Sequence, residues 1–338
     1  LQNNGNAGKV TQIQYYRDEA EGVAKVFVTV TVNPSLDRTV EVSELVRGGL
    51  HRVSAAHVHP GGKGINVARA LVRNGLKARA IVPAGGAEGD HFITLLGDYS
   101  IEVVRVPVVG PVRSNISVIE PDATVTKVNE AGARLSEEET KALSDAVLGN
   151  VADASWVVMA GSLPPGMSDD FYADLIHLLE PSGAKIVVDT SGPALLEAVK
   201  AKPALVKPNL EELEEAVGRP LRTLREVVEA AQELRALGVG AVLASLGSYG
   251  AVLVEADGVW HAEAPVTARS TVGAGDAMLA GFLSGGGCGV GALSSGVAWG
   301  AAAVSLPGST MPGPEEVGSH PVRVHPEVEW EKKLHAKT

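Results

Sequence analysis

Four short stretches carry residue types able to handle an anion and a proton. Residues 270–282 read STVGAGDAMLAGF, so Gly273, Ala274 and Gly275 lead into Asp276 and an unbroken apolar run. Small residues let the backbone approach a ligand closely. The first N–H groups of a helix lack intrahelical partners, so such a junction favours a bound anion. An aspartate placed there would compete with that anion. It is better used to take a proton from whatever attacks the anion. The plainer reading of Asp276, and the default on this motif alone, is a helix-start carboxylate stabilised by the dipole.

The other stretches add charge and oxygen ligands. Residues 59–71, HPGGKGINVARAL, hold Lys63 among glycines where the backbone is tightest, unless it is a solvated loop lysine. Asn66, one turn into the helix that follows, points back toward the same loop. Residues 207–212, KPNLEE, put Lys207 before Asn209 and Glu212. The latter two, three apart at a helix start, face the same way and can orient the water shell of Mg²⁺. Lys207 and the amides of Gly273, Ala274, Gly275 and Asp276 can hold phosphate oxygens. Asp37, at the end of NPSLD, either caps a turn or faces sugar hydroxyls. Arg113 is an edge-strand charge or an anion clamp.

These groups need a scaffold that brings distant loops together. Short β-branched or aliphatic runs at residues 24–32, 78–82, 156–160, 184–188, 204–206 and 241–245 read as buried strands, and helical periods intervene. The motif loops follow these strands, and a parallel sheet gathers such loops on one edge. Residues 241–245 and 251–255 suggest an antiparallel pair at the sheet margin. Segments 38–42, 52–59, 103–108, 115–120 and 123–128 alternate polar and apolar residues, as strands covered on one face do, and predict a separate small sheet. Capping boxes start helices at Ser136 and Thr223, and residues 290–304 form an Ala-rich helix. The expected organisation is an extension over 1–24 outside the fold, an α/β domain over 25–314 and a C-terminal surface segment over 315–338. The small sheet forms a lid from about 37–59 and 103–130.

Composition narrows the partners. Of 338 residues, 45% are hydrophobic but only 4% aromatic, and 39 are glycine, which suits helices packed closely on a buried aliphatic sheet. The net charge of −11, without a Lys/Arg run, argues against a nucleic-acid surface. An anionic substrate would need a local basic pocket. Cys288 is the single cysteine, which precludes an internal disulfide and fits a reducing, cytoplasmic setting. No stretch approaches the roughly 18 apolar residues of a membrane span.

Neither GxxxxGK[ST] nor a protein-kinase motif set is present, so the usual nucleotide-binding classes do not apply. The motifs in their order instead resemble the ribokinase-like sugar kinases of the PfkB carbohydrate kinase family. The resemblance rests on TVNPSLD (31–37), GGKGINVARAL (61–71), RSNI (113–116), KVNEAG (127–132), GSLPPG (161–166), KPNLEEL (207–213), SLGSYGAVL (245–253) and STVGAGDAMLAGFL (270–283). It implies a three-layer α/β/α fold with a mostly parallel central sheet and a small β lid often used for dimerisation.

The resemblance also implies roles. Asp276 would take the proton from the sugar's free hydroxyl, while the amides of Gly273, Ala274 and Gly275 stabilise charge on the moving phosphoryl. Asn209 and Glu212 would order Mg²⁺, Lys207 would contact ATP phosphates, and Ser245, Gly247, Gly250 and Gly275 would lie beside the nucleotide. Asp37, Gly62, Lys63 and Asn66 would hold the sugar, with Lys63 and Arg113 on its existing phosphate. Lys63 and KVNEAG favour fructose 1-phosphate, phosphorylated at its 6-hydroxyl; tagatose 6-phosphate and fructose 6-phosphate are the alternatives within the family. A non-catalytic sugar-phosphate binder is the alternative of another class. Ala131 and Ala133 stand where the family pattern has prolines, and His51 where it has asparagine.

Overall fold

The computed structural model describes residues 26–122 and 124–334. The expected extension over 1–24 lies outside the described residues. In chain order the strands are β1 (Val26–Val30), β2 (Ser35–Glu41), β3 (Ala55–Gly61), β4 (Ala78–Gly85), β5 (Glu102–Pro111), β6 (Arg113–Ile119) and β7 (Val125–Asn129). They continue with β8 (Ala154–Ala160), β9 (Lys185–Asp189), β10 (Leu205–Val206), β11 (Ala241–Ser245), β12 (Ala251–Val254), β13 (Val259–Glu263) and β14 (Arg323–His325). Among the described residues, ten of them make one sheet in the order β14-β13-β12-β11-β10-β9-β8-β1-β4-β5. Every pairing from β11 to β5 is parallel, whereas β12, β13 and β14 are added antiparallel.

Burial on both faces explains why the central strands read as unbroken aliphatic runs. In β8, Val157 and Met159 enter the core on one face, with Tyr172, Leu175, Leu195 and Val227. Trp156, Val158 and Ala160 enter the core on the other, with Ile65, Leu71, Leu279, Phe282 and Trp299. Helices cover both faces, which gives the three layers expected. The capping boxes at Ser136 and Thr223 are formed, each closing its helix start with Glu139 or Glu226.

The chain leaves β1, builds half of the lid and the Lys63–Arg73 helix, adds β4 and β5 on one side, completes the lid with β6 and β7, then returns to add β8 on the other side. That reversal beside β1 is a switch point, and the C-terminal ends of β1, β8, β9, β10 and β11 open onto the crevice it makes.

Two expectations are corrected. Residues 103–108 do not belong to the lid: β5 pairs in parallel with β4 and closes the main sheet. It alternates because an edge strand is covered incompletely, the same signal a lid strand gives. Among the described residues the lid itself is four-stranded, in the order β3-β2-β6-β7. The segment after residue 314 is also more than surface. There β14 pairs with β13, Val317, His325, Val328 and Leu334 are buried, and Leu224 donates its N–H to the Lys332 carbonyl at 3.1 Å.

Candidate active site

The site begins at the junction of loop and helix that holds Asp276. Gly273, with φ 76°, caps the Ala274–Ser284 helix in the left-handed conformation that glycine adopts without a Cβ penalty. Asp276 follows in the first turn and is buried. Its Oδ2 accepts a hydrogen bond from Asn66 Nδ2 at 2.9 Å. The Asn66 amide is oriented from behind, since its Oδ1 accepts from Arg69 Nη1 at 3.2 Å. Burial pushes the Asp276 carboxyl up to about 6, the Asp189 carboxylate adds to the rise, and Lys63, Lys207 and Asn66 oppose it. A carboxyl tuned toward neutrality is the property a general base needs.

Charged groups from three strand ends and one helix start converge next to it. Asp189, at the end of β9, is fully buried between two ammonium groups, Lys63 Nζ at 2.7 Å and Lys207 Nζ at 3.0 Å. Burial alone would raise the Asp189 carboxyl, but the two lysines outweigh it and hold it below the usual range. Lys63 also reaches Glu212 Oε1 at 3.1 Å. Its burial disfavours the charge, yet Asp189 and Glu212 overcome that cost and raise it well above an ordinary lysine. Lys207 is buried against the Asp276 loop, with its Nζ 3.4 Å from the position a Cβ on Gly275 would take.

Asn209 and Glu212 form a capping box on the Leu210–Val217 helix. Asn209 Oδ1 accepts from the Glu212 N–H at 2.8 Å, and Glu212 Oε2 accepts from the Asn209 N–H at 2.9 Å. This arrangement fixes both side chains at the cleft without needing a ligand. Beside them, the Ser245 N–H donates to the Pro208 carbonyl at 3.0 Å. Gly247 and Gly250 bound the short turn after Ser245, where the Leu246 N–H donates to the Gly250 carbonyl at 2.8 Å.

The lid supplies the other wall. Asp37 lies on β2, where its Oδ1 accepts from Ser35 Oγ at 2.7 Å and from Asn115 Nδ2 at 3.0 Å. Its carboxylate packs on the Cα of Gly61, a space that any side chain at residue 61 would fill. Gly62 links β3 to the Lys63–Arg73 helix. Arg113 opens β6, is half-buried, and donates from Nη1 to the Glu130 carbonyl at 3.0 Å.

The geometry therefore brings Asp276, Asn66, Lys63, Lys207, Asn209 and Glu212 to one cleft. Lys63 is turned to Asp189 and Glu212, while Arg113 donates to the Glu130 carbonyl at the lid. Asp189, which directly follows the strand read at residues 184–188, and Arg69 were given no part from the sequence. A carboxylate closing a buried parallel strand was the available signal for Asp189. Arg69 gave none, because its helical position reads as solvent-facing until the Tyr99 ring is found 4.9 Å beneath it. An open cavity of about 550 Å³ lined by Lys185, Lys200 and Lys202 lies at the opposite edge of the sheet, among none of these groups.

A three-layer sheet with a β lid, a near-neutral carboxyl at a helix start and two lysines, one buried and one half-buried, defines a phosphotransferase acting on an alcohol. Residues 28–316 match the profile of the pfkB family carbohydrate kinases, and the chain belongs to that family. It is 39% identical to a 1-phosphofructokinase of Rhodobacter capsulatus, over 75% of this chain and 82% of that protein. It is 38% identical to the ATP-dependent 6-phosphofructokinase isozyme 2 of Escherichia coli strain K12, over 74% of this chain and 82% of that one. Among solved structures, the phosphofructokinase-2 of Escherichia coli in complex with potassium superposes with a TM-score of 0.82 at 35% identity. That match covers 87% of this chain and 97% of that one.

Proposed function

We propose that the protein phosphorylates D-fructose 1-phosphate at its 6-hydroxyl, using ATP and giving fructose 1,6-bisphosphate and ADP. The observation that carries the reading is the Asp276 carboxyl, buried, oriented by Asn66 and raised to about 6 beside two lysines. Asp276 takes the hydroxyl proton as the 6-oxygen attacks the γ-phosphorus, and the bond from that phosphorus to the ADP oxygen breaks. The first-turn N–H groups at Gly273, Ala274 and Gly275 stabilise the charge on the transferring group. Lys207 contacts the ATP phosphates, and the Ser245, Gly247 and Gly250 turn lies along the nucleotide. Asp37, Gly62 and Asn66 face the sugar, with Arg113 toward its phosphate.

Lys63 takes a part different from the clamp first expected. Its ammonium is neutralised by Asp189 and Glu212, which suits it to the centre of the cleft, between acceptor and donor.

The donor set also fits Mg²⁺. Asn209, Glu212 and Asp189 offer only hard oxygen atoms, and those of the first two are engaged with each other and with Lys63. Such residues hold the ion through its waters rather than directly. When bound, the ion supplies charge neutralisation on the β- and γ-phosphates.

The acceptor is tested by ADP release with fructose 1-phosphate, fructose 6-phosphate and tagatose 6-phosphate. The expected result is a kcat/KM highest for fructose 1-phosphate. A higher value for another sugar would reassign the substrate. No turnover with any, alongside tight binding of one, would make the protein a sugar-phosphate binder.

The lid also supports a homodimer. Its strands and the connection between β2 and β3 expose Leu50, Val53, Val125 and Val128, apolar side chains that a second copy could cover.

A further inference from the structure

At the far margin of the large sheet, β13 and β14 bring together two histidines and a glutamate. His261 and His325 are directly opposed partners on the antiparallel pair, and their rings stack at 4.6 Å. Glu263, two residues along β13, shares their face. One nitrogen or carboxylate oxygen from each of the three lies within 4.8 Å of the others. Both histidines are buried. We propose that His261, Glu263 and His325 form a binding site for a divalent first-row transition ion, zinc by preference, that clasps β14 to β13.

The hydrogen bonds around the rings support this. His261 Nε2 lies 2.8 Å from the Tyr249 carbonyl, which can only accept, so Nε2 carries the proton. The lone pair is left on Nδ1, which is buried and has no hydrogen-bond partner. A dry imidazole nitrogen with its lone pair unmet is the atom a metal ion takes, and its other N–H on a backbone carbonyl is the usual outer support. His325 has the same arrangement available. Its Nε2 lies 3.0 Å from Glu263 Oε1, and its Nδ1 lies 3.6 Å from Glu329 Oε1. A shift of its proton to Nδ1 would turn that N–H toward the Glu329 carboxylate and free Nε2 for the ion. No net proton is gained or lost in the shift.

Glu263 keeps one oxygen for the ion and gives the other to Lys332 Nζ at 2.6 Å. Two imidazoles and one carboxylate suit zinc, with a water completing the set, and do not suit Mg²⁺ or Ca²⁺. Bonds of ~2.0–2.1 Å in a tetrahedral site place ligand atoms about 3.3 Å apart. Binding turns the His325 ring out of its stack on His261, which lets the two in-plane lone pairs converge and closes the 4.8 Å spread.

The test uses the full chain, stripped with a chelator and free of nucleotide, titrated with ZnCl₂ and separately with CoCl₂. One equivalent of zinc should stay bound through gel filtration. The cobalt form should show the visible bands of a four- or five-coordinate N/O site. Glu263→Gln and His325→Gln should each weaken zinc binding at least tenfold and abolish the cobalt bands. Zinc should raise the Tm of the parent chain and leave both variants unmoved. Glu263 is only partly buried, so its variant decides the matter if His325→Gln fails to fold. Failure of the parent chain to retain zinc, or binding unchanged in Glu263→Gln, would overturn the proposal. Neither readout depends on kinase activity.

Discussion

At the scale of single residues, the account turns on how a buried carboxylate is tuned. Asp276 must be ionised to accept a proton, and its carboxyl sits at about 6 because burial and Asp189 raise it. The sign follows directly: kcat/KM should be level near pH 8 and fall as pH drops through about 6. Asn66 donates to the carboxylate and so stabilises its charged form, lowering the value from where burial would leave it. Replacing Asn66→Ala should therefore move the acidic limb of the pH–rate profile upward. A downward or unmoved limb in that variant would show that Asn66 does not tune the base. Asp189 illustrates the opposite coupling, because it is an anion shared by two lysines. Removing one partner of a buried ion pair typically costs ~3–5 kcal/mol. Asp189→Ala should thus lower stability by about that amount, read from urea unfolding, as well as disturb both lysines.

At the scale of elements, the capping box on the Leu210–Val217 helix does two things at once. Losing an N-cap side chain costs about 0.5–2 kcal/mol. Asn209→Ala and Thr223→Ala should therefore destabilise the chain by similar amounts. Only the first should also reduce kcat, and its deficit should narrow as Mg²⁺ concentration rises. Equal kinetic losses in both would remove Asn209 from the ion's surroundings.

This element also shows what the sequence could reveal. The two residues at 209 and 212 announce a helix start and a pair of oxygen ligands alike, because one geometry serves both purposes. The parallel strands were legible because burial on both faces leaves an unbroken aliphatic record. The membership of β5 was not, since a main-sheet edge and a lid strand are both half-covered and alternate identically. Lys63 was legible as a special lysine from its glycines. Its partners were not, because Asp189 and Glu212 come from a strand end and a helix start 126 and 149 residues away. The C-terminal segment was obscured by its charge and prolines, although a buried histidine on β14 fixes it to β13.

At the scale of the whole molecule, the sheet's switch point sets the cleft and the lid closes one side of it. The lid's exposed apolar residues predict self-association through that surface. Val128→Asp should shift the protein toward monomer in sedimentation equilibrium while leaving the Tm of the main domain nearly unchanged. An unaltered dimer would place the contact elsewhere, and a monomeric parent chain would dispose of it. The fold thus delivers lysines from the ends of a lid strand and a main-sheet strand, a ligand pair from one helix start and a tuned carboxylate from another to a single point. The most direct measurement of whether that point is the reaction centre is the turnover of Asp276→Asn with fructose 1-phosphate and ATP. The account predicts a kcat at least ~10²-fold lower, the loss expected of a general base, with the Kd of both substrates little changed. Turnover near that of the parent enzyme would contradict it and place the proton acceptor elsewhere.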